Sequence, residues 1–157
     1  MNKQRKRQST TTLLSRDGVI TSWRASLFVY AERRRGGPRE RKGRAWLVVE
    51  GELTEPVAGV SGYSIHMFPG NEPSVGQSEI PSVGSFIRTK PMMEGVIELS
   101  EREFGFISTL LSSGRVLFCS VAFQPPRYGR ALIASIDFSS APPTSPEEAD
   151  QMEAKAK

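Results

Sequence analysis

The stretch that decides the fold is residues 96–139, VIELSEREFGFISTLLSSGRVLFCSVAFQPPRYGRALIASIDFS, which holds the densest apolar patterning in the chain. Ser100 and Glu103 have the spacing of a capping box, in which each side chain accepts a hydrogen bond from the other residue's backbone N–H. Apolar residues then recur at three- and four-residue steps, and Gly114 suits the left-handed position that follows a helix. These features predict one helix over about residues 101–112.

Two strands are predicted after this helix. Residues 116–123 are apolar on both alternating faces, which indicates a strand covered on both sides. After a turn rich in proline and glycine, residues 132–138 place Leu132, Ala134, Ile136 and Phe138 on one face, so the second strand of the hairpin is expected to have one solvent-exposed face. The helix must pack on apolar surface, because a three-turn helix is not stable alone in water.

Alternation with a period of two also predicts strands at residues 19–29, 46–53 and 60–68, with a short edge strand at 86–89. Six to seven strands joined mostly by turns and hairpins predict a mainly β fold. It is expected to be an antiparallel β-sandwich or a half-open barrel, with the helix packed on one face or one end.

The domain organisation follows from the segments without this alternation. A single β-rich domain is expected over residues 13–140. Residues 1–12 are polar and basic and predict a disordered arm, and residues 141–157 predict a flexible tail. Within the domain, residues 69–85 predict a loop rich in Gly, Pro and Ser. Residues 33–44, RRRGGPRERKGR, predict a long basic hairpin loop or flap between two strands.

The net charge of +4 originates in the first quarter of the chain. Residues 1–44 hold 13 Lys and Arg against three acidic residues, whereas residues 45–140 hold six against ten. The expected body is therefore slightly acidic and carries basic appendages. No apolar run approaches the roughly 18 residues of a membrane helix and no secretory signal is evident, so we expect a cytoplasmic protein with no membrane partner.

Residues that could carry catalysis are few. The single histidine, His66, lies in a predicted strand on the face opposite the core, without a nucleophile elbow or a second metal-ligand histidine nearby in sequence. Glu50 and Glu52 are separated by about 7 Å on one strand face, a distance that any solvated i, i+2 pair shows. Cys119 is the single cysteine and is expected to be buried and inert. We therefore predict no enzymatic activity, no cofactor and no metal site.

The basic segments favour a binding function. Arginine pairs bidentately with carboxylates and phosphates, and tyrosine beside arginine is common in binding hot spots. The leading prediction is a small non-enzymatic binding or adaptor module that contacts an acidic protein surface or associates with itself. Its partner-binding residues lie in the 33–44 segment and in the 125–130 turn: Arg33, Arg34, Arg35, Arg39, Arg41, Lys42, Arg44, Arg127, Tyr128 and Arg130.

The alternative prediction is a nucleic-acid-binding accessory protein that uses the basic N-terminal arm together with the 33–44 segment. Single-stranded nucleic acid is bound by aromatic side chains interleaved with basic ones. Within residues 31–45 there is no aromatic residue, and only Tyr30 and Trp46 flank this segment. The N-terminal residues in this alternative are Lys3, Arg5, Lys6 and Arg7.

Overall fold

A computed structural model of the chain describes residues 12–33, 36–37, 39–70, 82–115 and 117–142. Most of the predicted N-terminal arm, of the C-terminal tail and of the 69–85 loop therefore lies outside the described residues. The elements in chain order are β1 (Leu14–Arg33), β2 (Arg39–Val57), β3 (Val60–Pro69), β4 (Gly84–Arg88), β5 (Met93–Leu99), α1 (Glu101–Leu111), β6 (Leu117–Phe123) and β7 (Ala131–Ser139).

The sheet closes into a barrel with the strand order β1-β2-β3-β5-β4-β7-β6, in which β6 pairs with β1. The mainly β prediction is confirmed, and the architecture is a closed barrel rather than a sandwich or a half-open barrel. Neighbouring strands are antiparallel with the exception of β3 and β5, which are parallel. They are parallel because the chain leaves β3 at one end of the barrel and runs back down β4 before it enters β5.

Strand β4 corrects two predictions. The edge strand expected at residues 86–89 begins earlier, because Gly84 and Ser85 belong to β4 rather than to the predicted 69–85 loop. It is also not an edge, since β4 pairs with β5 on one side and with β7 on the other. Closure of the barrel gives both sides of β4 a neighbour.

The helix is confirmed at the predicted place. Ser100 Oγ accepts from the Glu103 backbone N–H at 3.3 Å, and Glu103 Oε2 accepts from the Ser100 backbone N–H at 2.8 Å. The Ser100 backbone N–H and the Ser100 hydroxyl both donate to Glu103 Oε2, and these two hydrogen bonds hold the pKa of the Glu103 carboxyl below its ordinary value. Gly114 adopts a φ of +70° after the helix. The helix buries Ile107 and Leu111 against the core and contacts β3 and β5.

The core consists of the inward-facing side chains of all seven strands. Alternation on β6 is regular, whereas the prediction for β7 is half wrong. A register shift lies where Phe123 pairs with Ile133 but Ala122 pairs with Ser135, so one residue of β7 is skipped. The inward residues of β7 are therefore Ala131, Ile133, Ile136 and Phe138, not Leu132 and Ala134.

Strand register also defines the two ends of the barrel. Helix α1 connects the end of β5 to the start of β6, and Leu117 at the start of β6 pairs with Ile20 of β1. We call it the helix end. At the opposite end Leu14 pairs with Phe123, which leads directly into the 124–130 turn. We call it the turn end.

Candidate functional site

Strands β1 and β2 continue past the helix end as a two-stranded hairpin arm, defined as residues 22–46. Strand β1 pairs with β6 only as far as Ile20, and β2 pairs with β3 only from Leu47 onward. The β1–β2 ladder nevertheless continues to the pair Arg33–Arg39. At about 3.4 Å per residue the arm extends about 25 Å beyond the pairing with β3.

The prediction of a long loop at residues 33–44 is therefore wrong. Arg39, Arg41, Lys42 and Arg44 lie on β2, and the connection between the strands is confined to residues 34–38. Apolar and polar residues alternate in a strand that has one buried side. A two-stranded ribbon surrounded by water has no buried side, so the sequence of this segment does not alternate.

One face of the arm combines aromatic and basic side chains. Directly opposed residues of an antiparallel pair share a face, and the ladder opposes Phe28 to Arg44 and Tyr30 to Lys42. The Phe28 and Tyr30 rings are stacked, with centroids 5.6 Å apart, and Phe28 is 58% exposed. We call this set the aromatic–basic face: Arg24, Phe28, Tyr30, Lys42, Arg44 and Trp46.

The other face of the arm is apolar. It continues the inward side of the barrel wall, because Trp23 opposes the buried Val49 and Ala25 opposes the buried Leu47. Leu27 on this face is nevertheless 70% exposed. The odd-numbered residues of β1 beyond the barrel therefore have no core to face, and before the register shift between Ile20 and Ser22 the inward residue is the even-numbered Ile20. The apolar face comprises Trp23, Ala25, Leu27, Val29, Ala31, Gly43 and Ala45, with Arg41 at its distal end.

The predicted basic residues of the arm fall into two groups. Arg41 and Arg44 are exposed and Lys42 is half-buried. Outside the described residues lie Arg34 and Arg35, the side chains of Arg33 and Arg39, and the four residues of the alternative prediction, Lys3, Arg5, Lys6 and Arg7.

The predicted contact residues of the 125–130 turn lie at the turn end, away from the arm. Arg127 and Arg130 exchange backbone N–H···O bonds of 2.8 and 3.0 Å across a two-residue turn. Tyr128 and Gly129 have φ values of +52° and +74°, the signs of a type I′ turn, and Tyr128 is fully exposed. An open groove of about 300 Å³ lies beside this turn, between β4 and β7. Among the described residues of the predicted partner-binding set, Arg41, Lys42 and Arg44 therefore lie on the arm, whereas Arg127, Tyr128 and Arg130 lie at the other end of the barrel.

Neither a protein family, nor a curated protein, nor a solved structure matches this chain.

The histidine and the two glutamates considered as catalytic candidates lie on the outer wall of the barrel. His66 Nε2 is 3.5 Å from Ser64 Oγ. Glu50 accepts a hydrogen bond from Ser22 Oγ at 3.1 Å and lies 3.9 Å from Arg24, whereas Glu52 is exposed. The Glu50 carboxylate therefore belongs to a solvent-exposed polar network with Ser22 and Arg24. Among the described residues no three or more His, Cys, Asp or Glu side chains are grouped so that they could hold a metal ion.

Tyr63 and Cys119 are the buried ionisable side chains that the described part of the chain places in the barrel interior. Cys119 is buried as predicted, and desolvation raises its pKa to about 12. Burial likewise raises the pKa of Tyr63 far above its ordinary value. Both groups are therefore protonated near neutral pH. Among the described helices, none has the length and hydrophobicity to cross a membrane.

The aromatic and apolar residues of the arm were not among the predicted binding residues. The signal was present in residues 27–30, Leu-Phe-Val-Tyr, which place large apolar side chains on both faces of a strand. Such a strand is covered on both sides or exposes one apolar face to a partner.

Proposed function

We propose that this protein binds single-stranded nucleic acid through the aromatic–basic face of its arm. The observation that carries the proposal is the cross-strand pairing of Phe28 with Arg44 and of Tyr30 with Lys42. The aromatic residues that are absent from the basic segment in sequence are thus supplied by the opposite strand in space.

The proposed mechanism separates two tasks on this face. Exposed Phe28, half-buried Tyr30 and half-buried Trp46 offer ring surface on which unpaired bases stack, at about 1–3 kcal/mol per base. Arg44 and the neighbouring cations bind the phosphates that link these bases. A single strand is the expected ligand because the faces of bases in a duplex are already stacked.

Charge limits the binding region to the arm. At the barrel end of this face Arg24 lies beside Glu50, whose carboxylate also accepts from Ser22. The wall beyond continues along β2 with Glu50 and the exposed Glu52, whose carboxylates repel phosphate. The strand is therefore expected to follow the arm rather than the barrel.

An acidic protein surface is the competing ligand, since arginine binds carboxylates as readily as phosphates. The two ligands differ in what they require of the rings. Carboxylates need only the cations, whereas unpaired bases need Phe28 as well. Substitution of the ring therefore discriminates between them.

The test is fluorescence anisotropy of a labelled oligothymidylate, single-stranded and then annealed to its complement, titrated with the full chain at low and moderate salt. We expect salt-dependent binding that prefers the single strand. Phe28→Ala is expected to weaken binding about 5- to 100-fold, which corresponds to one lost stacking contact. Arg44→Gln is expected to weaken binding and reduce its salt dependence.

Matched controls are available at the turn end. Tyr128→Ala removes a fully exposed ring and Arg127→Gln an exposed cation, and neither is expected to change the affinity. The proposal is overturned if the full chain does not bind at low salt, or if Phe28→Ala binds as tightly as the unaltered protein.

A further inference from the structure

The groove at the turn end is a second candidate site, separate from the arm. We propose that it binds a short acidic segment of a partner protein, in which a carboxylate and an apolar side chain stand two residues apart. This proposal does not depend on nucleic-acid binding, because the groove and the arm lie at opposite ends of the barrel.

The groove forms where β4 and β7 separate. Their ladder ends at the pair Phe86–Ala131. Beyond this pair the backbone of Arg130 bonds to Arg127 within the turn instead of to β4. Strand β4 also has a bulge here, because its register with β5 shifts at Ile87. The Ile87 side chain lines the groove and is 50% exposed.

Two arginines give the groove a positive charge. Arg127 and Arg130 oppose each other across the turn, so their side chains share a face, and both are exposed and line the groove. Within the described ranges of the chain, neither guanidinium has an ion-pair partner. The acidic residues Glu55 and Glu94 at this end lie 3.8 and 3.0 Å from other arginines, and Lys90 is a further exposed cation. The carboxylate that these arginines can bind must therefore come from a ligand.

The apolar lining of the groove selects the kind of anion. Ile87, Leu132 and Pro125 lie in the groove together with the two arginines. Inorganic phosphate and a nucleic-acid backbone present only oxygens to such a surface. Beyond Phe86 the β7 side of β4 is open to an extended peptide, whose alternate side chains face the same way. Such a peptide places a carboxylate on the arginines and an apolar side chain two residues away on Ile87.

Tyr128 at the tip of the turn favours a protein as the source of this segment. Its side chain is fully exposed and makes no packing contribution to the barrel. Its φ of +52° lies in the left-handed region, where bulky residues are rare and where this type of turn prefers Asn or Gly. Tyrosine between two arginines is a composition found in binding hot spots. A ring that projects beyond the groove contacts a protein partner rather than a small molecule held inside.

The experiment is a titration of a fluorescein-labelled peptide, Ser-Glu-Ser-Leu-Ser-Glu-Ser, with the full chain up to about 1 mM, followed by fluorescence anisotropy at low salt. We expect a dissociation constant of about 0.1 mM, because the contact is much smaller than a standard interface. A peptide with Gln in place of Glu, and one with Ser in place of Leu, are each expected to bind about fivefold more weakly.

Variants of the chain assign each preference to its side chains. The double variant Arg127→Gln, Arg130→Gln is expected to lose the preference for Glu over Gln, and Ile87→Ser is expected to lose the preference for Leu over Ser. Controls at the helix end are Arg115→Gln and Phe106→Ser, which remove an exposed cation and an exposed apolar side chain. Both controls are expected to keep the two preferences and the affinity.

Tyr128→Asn separates a binding role from a structural one. Because Asn suits the left-handed position, this variant is expected to raise the thermal unfolding midpoint while it weakens peptide binding. A residue with only a structural role would not change the two quantities in opposite functional directions.

Three results would overturn the proposal. The first is no binding of the peptide up to about 1 mM, and the second is that the groove variants keep both preferences. The third is that Arg44→Gln weakens peptide binding more than the groove double variant does, because the arm would then be the site for acidic peptides. Failure of oligothymidylate to bind the arm would leave all of these measurements unaffected.

Discussion

Gly51 and Tyr63 lie opposite each other on β2 and β3, and the phenol of Tyr63 occupies the space above Gly51. A Cβ atom added at Gly51 would lie 2.5 Å from the Tyr63 hydroxyl oxygen. A Cβ added at Gly18 on β1 would lie 2.9 Å from the same ring. Two glycines on neighbouring strands thus form the slot that admits a tyrosine into the barrel interior.

Gly51→Ala is expected to destabilise the barrel by about 3 kcal/mol or more, because neither the backbone of β1 nor the buried ring can move away cheaply. The control is Gly43→Ala, also on β2 but in the arm, where an added Cβ has no neighbour closer than 3.9 Å. That substitution is expected to change stability by less than about 1 kcal/mol. Urea denaturation measures the free energy of unfolding of both variants. Equal losses in the two variants would show that Tyr63 does not need the space above Gly51.

Tyr63→Phe is expected to leave stability unchanged or to raise it by about 1 kcal/mol. The buried hydroxyl has no hydrogen-bond partner among the described residues, and the thiol of Cys119 beside it is a weak hydrogen-bonding group. Removal of an unsatisfied buried hydroxyl relieves its desolvation cost. Thermal unfolding of the variant tests this. A loss of more than about 1 kcal/mol would show that the hydroxyl makes a strong hydrogen bond.

Stability is expected to fall at alkaline pH. The pKa of Cys119 rises from an ordinary 9.0 to about 12 in the folded chain. Between these values the unfolded chain loses the thiol proton and the folded chain retains it, so the free energy of unfolding falls by up to about 1.4 kcal/mol per pH unit. Below pH 9 this contribution is fully present. Tyr63 adds a loss of the same sign above its ordinary value of 10.0.

Urea midpoints from pH 7 to pH 11 measure this dependence. Cys119→Ala is expected to be less stable at neutral pH because it leaves a cavity. Its stability should nevertheless fall less steeply above pH 9. An identical slope in the variant would mean that Cys119 does not cause the loss.

Ser100→Ala is expected to cost about 0.5–2 kcal/mol, because the backbone N–H of Glu103 loses its acceptor at the start of α1. The pKa of the Glu103 carboxyl is lowered in the folded chain from its ordinary value of 4.5. Its charge therefore stabilises the fold fully above pH 4.5, and this stabilisation is lost as the pH falls through the lowered pKa. Thr109→Ala, which alters a hydroxyl on the same helix away from its start, is the control. Chemical denaturation at pH 7 should separate the two variants.

The sequence predicts best those elements whose signals are local or whose one side is buried. Ser100, Glu103 and Gly114 mark the helix ends because capping uses residues close in sequence. Tyr63, Ile65 and Met67 alternate in the sequence and all lie on the inner face of β3, because alternation follows directly from burial on one side. Closure of the barrel could not be predicted from the alternation of apolar residues, because it depends on pairing between β1 and β6, which are about a hundred residues apart.

The arm was missed for a different physical reason. Its β2 strand makes regular hydrogen bonds with β1, yet Arg41, Lys42 and Arg44 follow no apolar alternation because no core lies on either side. Residue order along one strand also conceals the pairing of Phe28 with Arg44. The proposed binding surface exists only in the register between two strands.

Removal of the arm is expected to leave the barrel folded. In the ladder Ser26 opposes Trp46, so replacement of residues 27–45 by Asn-Gly joins a natural cross-strand pair through a two-residue turn. None of the buried core residues lies within the deleted segment. The buried core residue nearest to it in sequence is Leu47. The shortened chain should therefore unfold cooperatively, with a midpoint close to that of the full chain. It should bind no single-stranded nucleic acid, as measured by fluorescence anisotropy. Loss of cooperative unfolding would instead make the arm part of the folding unit.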